Sequence, residues 1–257
     1  MAELLKDIEA YWTTRTEGYS EVNQKELEGM QKAAWLQVLL EQFPEGKKEE
    51  LNILDIGTGP GFFPMILAQA GYQVTAVDYT ENMLKKALEN VGELGEKITF
   101  LRMDAQSLDF PDESFDVVIS RNLTWNLEKP AQAYEEWFRV LKNGGKMINF
   151  DANWYGYLYN QEKREAYEED RENVKNNALD DHYLCTDIDK MEEIARQVPL
   201  SAVRRPEWDI NVLENSGFCH IAGDQQIWQR VWSPEERLNY QSTPMFMVTG
   251  IKEGGDR

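Results

Sequence analysis

The chain has 257 residues, 42% hydrophobic and 28% charged, enough for one large α/β domain with an insertion or for two small domains. Its formal net charge of −19 repels phosphate backbones and argues against a nucleic-acid substrate. Two cysteines, Cys185 and Cys219, exclude a disulfide framework and a structural zinc site. No apolar run is long enough to span a membrane, and the acidic start "MAELLKDIEAYW" has no signal core, so a cytoplasmic protein is expected.

The first element is a helix over Ala2–Gly18, with Leu4, Leu5, Ile8, Tyr11 and Trp12 on one face. A second helix follows over Glu26–Phe43, where Leu36, Leu39, Leu40 and Phe43 keep helical spacing. From Leu51 the rhythm becomes strand and helix in alternation. Strands are predicted over Leu51–Ile56, Gln73–Asp78, Ile98–Arg102, Val117–Ser120 and Lys146–Asp151. Helices are predicted over Asn82–Val91 and Ala131–Lys142, the latter stopping at "KNGG". Such alternation argues for a parallel sheet covered on both faces.

After Asp151 the rhythm breaks. "NWYGYLYN" is aromatic, and "QEKREAYEEDRENVKNN" is polar almost all round, which predicts an exposed helix or a lid. An amphipathic segment over Asp187–Val198 and a helix over Pro206–Ser216 come next. Phe218–Ala222 and Met245–Ile251 read as the last strands. The adjacent arginines of "SAVRRPEW" read as a solvated face.

The chemistry concentrates after the first strand, in "ILDIGTGPGFF", where Gly57, Gly59 and Gly61 occupy alternate positions. A glycine-rich turn between strand and helix lets a ligand approach the backbone and meet its N–H groups. Gly57 and Gly59 match the first half of a dinucleotide fingerprint, but Phe62 breaks it and Pro60 removes a donor. Asp78, about 20 residues beyond Gly57, has the spacing of a carboxylate that accepts ribose hydroxyls. Asp104 and Ala105 follow the third strand: a carboxylate for an exocyclic amine beside a small residue that leaves room for a ring.

Together, "ILDIGTGPGFF", "VTAVDYTENMLKKA", "MDAQSLDFPDESFDVVIS" and "WFRVLKNGGKM" resemble the class I S-adenosylmethionine-dependent methyltransferases, closest to the small-molecule branch of ubiquinone/menaquinone-biosynthesis-like enzymes. The resemblance implies a Rossmann-like seven-stranded sheet with the last strand antiparallel and helices on both faces. It further implies a single methyltransferase domain: a helical cover (1–44), a cofactor-binding core (45–153), a lid insert after strand five (154–205), and the last helix and strands (206–257). It assigns Asp55 and the loop Gly57, Thr58, Gly59 and Gly61 to the methionine part of S-adenosylmethionine. Asp78 would bind the ribose, Tyr79 and Met83 would flank the adenosine, and Asp104 and Ala105 would meet the adenine. Ser120, Arg121 and Asn122 would lie near the sulfonium, and Tyr19 resembles a residue that closes over the cofactor.

Methyl transfer from a sulfonium is an in-line displacement, for which the protein mainly positions and desolvates the acceptor. The fourth strand ends "ISRNL" without an acidic ligand, so a metal-free enzyme is expected despite Asp151 and Asn153 nearby. Candidate acceptor-pocket residues are Tyr11, Trp12, Arg15, Asn122, Trp125, Trp154, Tyr155 and Tyr157; the aromatic ones serve either an apolar or cationic acceptor or the packing of lid onto core. Arg121 suits an acceptor carboxylate or an acidic neighbour. His182 and Cys185 in "DDHYLC" raise a metal or base question, with a surface or cap role for His182 favoured. The expected partner is a small-molecule methyl acceptor, with neither nucleic acid nor membrane, and the chain a monomer or homodimer. The competing readings are a nicotinamide-dependent oxidoreductase and a non-catalytic cofactor-sensing protein.

Overall fold

The computed structural model describes residues 2–183 and 186–254. Two helices, α1 (Ala2–Glu28) and α2 (Gln31–Gln42), precede the alternating core. That core runs β1 (Ile53–Ile56), α3 (Phe62–Gln69), β2 (Val74–Asp78), α4 (Glu81–Val91), β3 (Ile98–Arg102), β4 (Phe115–Arg121), α5 (Pro130–Val140) and β5 (Leu141–Asp151). The segment after β5 holds α6 (Gln161–Asn176) and α7 (Ile188–Ala195). Then come α8 (Glu207–Ser216), β6 (Cys219–Asp224), α9 (Trp228–Val231), α10 (Pro234–Asn239) and β7 (Phe246–Ile251). The strands form one seven-stranded sheet in the order β3-β2-β1-β4-β5-β7-β6, with β7 antiparallel to both its neighbours, as expected.

Strand alternation assigns side chains to the two faces. Ile53, Val117, Ile119, Ile148 and Phe150 pack with Trp35, Phe63 and Ile66 of α2 and α3 on one face. Leu54, Ile56, Val118, Met147 and Val248 pack with Tyr134, Trp137 and Leu213 of α5 and α8 on the other. The reversal of strand order around β1 and β4 opens a crevice at the carboxyl ends of the strands, where α/β sheets take ligands.

Three elements differ from expectation. First, α1 does not stop at Gly18 but runs to Glu28. Its inner stripe continues as Thr16, Ser20, Asn23 and Glu26, all buried, so the helical spacing is kept by polar residues that an apolar pattern does not register. Second, α5 ends at Val140, and "LKNGGK" opens β5 instead of closing a helix. Third, the two arginines of "SAVRRPEW" part company: Arg204 stays exposed, while the Arg205 side chain is fully buried.

Arg205 donates to both oxygens of Asp209 (2.7 and 2.9 Å), to Asp151 (2.9 Å) and to the Thr124 hydroxyl (2.6 Å). Asn149 and the Tyr134 hydroxyl complete the network from β5 and α5. Replacing Arg205 with Met leaves two buried carboxylates without a counter-charge. Urea unfolding at pH 7 should show a loss of about 3–5 kcal/mol.

Candidate functional site

The turn after β1 is built from three glycines with left-handed backbones: Gly57 (φ 71°), Gly59 (φ 53°) and Gly61 (φ 93°). Each is also confined by a neighbour. A Cβ on Gly57 would stand 2.8 Å from Leu123, one on Gly61 3.2 Å from Ala87 of α4, and one on Gly59 3.4 Å from the ring of Tyr19. The Gly59 N–H donates to one Asp78 oxygen (2.9 Å) and the Thr80 N–H to the other (2.8 Å). Asp78 thus links the first turn to the end of β2. Burial pushes its carboxyl pKa up against these donors.

A cleft of about 800 Å³ lies over these strand ends. Gly57, Gly59, Asp78, Tyr79 and Met83 line one side; Asp104 and Ala105 line another. Tyr19 and Trp12 of α1 and the segment from Arg121 to Leu123 complete it. Leu5, Ile8, Gln106, Asn126, Leu127 and Glu128 also line it, without having been singled out in the sequence. The Asn126 Oδ1 is buried and lacks a protein partner among the described residues. Asp104 accepts from the backbone and side-chain amides of Gln106 (2.9 and 3.0 Å).

Asp55 and Thr58 line a small side recess instead, shared with Tyr19, Asn23 and Arg121. Burial raises the Asp55 carboxyl pKa to about 7. Two expected residues do not face the cleft. Ser120 is fully buried and donates to the Ile56 carbonyl (2.9 Å), which clips β4 to β1. Gly61 caps α3 and packs against Ala87. Arg121 reaches the cleft wall, but its guanidinium is engaged elsewhere. It makes a two-pronged pair with Glu26 (2.7 and 3.0 Å) and lies over the rings of Trp35, Phe62 and Phe63. It is neither a surface pair nor free for an acceptor carboxylate. Burial works against the Arg121 charge and the Glu26 carboxylate restores it.

A second cavity of about 900 Å³ adjoins the first. Tyr11, Arg15, Asn122, Trp125, Trp154 and Tyr155 all line it; Tyr157 does not, being stacked on Tyr167 instead (4.1 Å between centroids). Trp12, Tyr19 and Asn122 line both cavities and so mark their junction. Asn122 has a left-handed backbone (φ 57°), and its buried Oδ1 has no protein partner among the described residues. Asp151 sets the two tryptophan walls: it accepts from the Trp125 N–H (2.8 Å) and from the Trp154 indole (3.1 Å). A carboxylate that sequence position offers as a metal ligand is here committed to Arg205 and these donors.

Tyr183, Tyr240, His182 and Glu236 also line the second cavity. They come from the segment between α6 and α7 and from α10 and its end, where no strand-end motif marks them. His182 is half-buried, not a surface cap: its ring nitrogens lie 3.0 Å from the Tyr240 hydroxyl and 3.3 Å from Glu235. Cys185 lies outside the described residues. Among those residues one grouping has metal-binding potential, Cys219, His220 and Glu253, and none of the three lines either cavity. No helix of the structure is long and apolar enough to cross a membrane.

The sheet order, the glycine turn and the strand-end carboxylates define a Rossmann-like nucleotide-binding domain. Residues 54–149 match the family model described as a methyltransferase domain. Over 99 residues the chain is 38% identical to a phosphatidylethanolamine N-methyltransferase of Cereibacter sphaeroides, a match spanning 38% of this chain and 48% of the relative. Over 97 residues it is 34% identical to a demethylmenaquinone methyltransferase of Clavibacter sepedonicus, spanning 38% of this chain and 39% of the relative. The chain thus spans less than half the length of these relatives. In fold it is similar to a Haloferax volcanii methyltransferase solved with the Trm112 activator (TM-score 0.62, 17% identity, 95% of this chain and 98% of that one). It is also similar to a Haemonchus contortus phosphoethanolamine N-methyltransferase (TM-score 0.60, 19% identity, 85% of this chain and 52% of that one). These similarities identify a methyltransferase domain within residues 54–149 of the chain.

Two expectations test this geometry. Gly57→Ala adds a methyl group against Leu123 at a strained φ, so urea unfolding should show a loss of about 1–3 kcal/mol, partly recovered when Leu123 is also shortened to Ala. Asp55 titrates near 3.8 when exposed and at about 7 when folded. Between those values the folded state holds more protons, so this group's contribution to stability falls as pH rises. Asp55→Asn should therefore gain stability relative to the parent as pH rises from 4 to 7, read from unfolding midpoints.

Proposed function

We propose that this chain transfers a methyl group from S-adenosylmethionine to a small-molecule acceptor, by metal-free in-line displacement. The observation that carries the reading is the pair of cavities meeting at Trp12, Tyr19 and Asn122. Such a junction suits a donor on one side and an acceptor on the other.

The residues present fit the cofactor. Gly59 leaves backbone open beneath Tyr19, and the buried Asn122 and Asn126 oxygens await donors. Asp78 keeps lone pairs toward the cleft for ribose hydroxyls. Tyr79 and Met83 offer flanks for adenosine, and Asp104 with Ala105 an edge for adenine. Arg121 is neutralised by Glu26, and the buried Asp55 carboxyl shares the recess beside it, so no uncompensated positive charge there opposes a cationic ligand. When bound, the cofactor supplies a methyl carbon activated by its sulfonium.

The chain's own work is positioning and desolvation. Trp12 and Tyr19, in edge contact at 5.6 Å, roof the junction and keep water from it. Trp125 and Tyr155, 5.1 Å apart, form a wall against which a flat or apolar acceptor rests. Burial raises the phenol pKa of Tyr155, Tyr183 and Tyr240, which disfavours them as bases and suits an acceptor that already presents a lone pair.

S-adenosylhomocysteine at a hundredfold excess over its Kd should stabilise the chain by about 2.7 kcal/mol, a rise in melting temperature of about 5 °C or more, while NAD should give none. Asp78→Asn should weaken S-adenosylhomocysteine binding about 10- to 100-fold by calorimetry. Stabilisation by NAD alone would favour the oxidoreductase reading. Cofactor binding without transfer to any component of a metabolite extract would favour a sensor.

A further inference from the structure

Arg15 is half-buried, lines the second cavity, and makes no ion pair among the described residues. In this chain of 46 acidic side chains against 27 Lys and Arg, Arg102, Arg121, Arg139, Arg171, Arg196, Arg204, Arg205 and Arg230 are each paired with a carboxylate; of the described arginines without an ion pair, Arg15, Arg164 and Arg237, Arg15 alone lines either cavity. The guanidinium also has a seat. Gly18 lies within α1, where glycine costs about 1 kcal/mol relative to alanine. The atoms nearest to a Cβ built there belong to the Arg15 guanidinium, the first at 3.3 Å. Gly18 gives that group room to lie against the helix one turn from its own origin.

The other charged groups of this cavity are engaged. One oxygen of Glu236 accepts from Gln31 (2.6 Å) and from the Ser233 N–H (2.7 Å), the second of these within the capping box of α10. His182 faces Tyr240 and Glu235. The ring walls supply apolar surface and no positive charge. A planar fork of N–H donors at the edge of an aromatic pocket matches the two oxygens of a carboxylate or phosphate.

From this arrangement we infer that the methyl acceptor is a ring-bearing or flat apolar compound with an oxyanion group, and that Arg15, seated on Gly18, is the residue that selects it. The inference rests on the reading of the second cavity as the acceptor pocket. The net charge of −19 opposes long-range attraction of an anion, so Arg15 acts by contact and not by steering. Arg121 has no such role, because Glu26 occupies it.

The test uses four ring-matched probes: 4-ethylphenol (neutral), 4-hydroxyphenylacetate (carboxylate), phenyl phosphate (phosphate) and tyramine (cation). Their affinities are read by tryptophan quenching of the full chain saturated with S-adenosylhomocysteine. One or both anionic probes should bind about 10-fold or more tighter than 4-ethylphenol, and which one does so names the oxyanion. Arg15→Met should erase that preference while S-adenosylhomocysteine affinity and melting temperature stay at parent values; Arg15→Lys should keep part of it. Gly18→Leu should weaken the anion preference with Arg15 still present. Tightest binding of tyramine, equal affinities, no measurable binding of either anion, or an anion preference that survives Arg15→Met each overturn the inference. Loss of S-adenosylhomocysteine binding by the parent chain would instead strike the methyltransferase reading itself.

Discussion

A guanidinium removed from water ties the end of β5, the loop after β4 and α8 to one another. Arg205 comes from the segment just before α8, yet it is enclosed by Asp151 at the end of β5, Asp209 on α8 and Thr124 in the loop after β4. Desolvating one arginine and two carboxylates is costly, and the arrangement persists because nearly every donor and acceptor is matched. Asp151 then has fixed oxygens to offer, and it offers them to Trp125 and Trp154. The walls of the second cavity inherit their positions from a charge cluster that the cavity does not expose.

The opposite face of the sheet uses a second ion pair in the same way. Arg121 leaves β4 on the side of Ile119 and meets Glu26 under a cover of Trp35, Phe62 and Phe63. This ties α1 to the strand ends, and α1 also supplies Trp12 and Tyr19 to the junction of the cavities. The helix is therefore not an appendage on a finished core. Its register relative to β4 determines where the two roof rings stand.

The alternation from Leu51 to Asp151 was legible because buried strands and amphipathic helices write it in apolar residues. The strand-end residues Asp78, Asp104 and Ala105 were legible because their distances from strands are short and fixed. Thr16, Ser20, Asn23 and Glu26 were not, since a polar inner stripe has no hydrophobic signature. Arg205 looked solvated because adjacent arginines give no sign of which one turns inward; only the carboxylates of distant segments decide that. Seven residues of the second cavity could be named from their positions near strand ends and on α1. Tyr183, Tyr240, His182 and Glu236 could not, because long-range folding of the segment after α6 and of the last helices brings them there. Ser120 and Gly61 have the right positions in sequence, but alternation turns one to a carbonyl and packing turns the other to α4.

The glycine turn answers to the protein packed around it as well as to any ligand. Leu123 and Ala87 fill the spaces where side chains at positions 57 and 61 would go. Those two glycines are thus demanded by neighbouring protein, with or without any ligand. A descendant that lost its methyl donor would still need them to close the loop over β4 and seat α4. The motif is in this sense a birthmark of the architecture, and only the groups whose oxygens remain unspent, such as Asn122 and Asn126, would be released to drift.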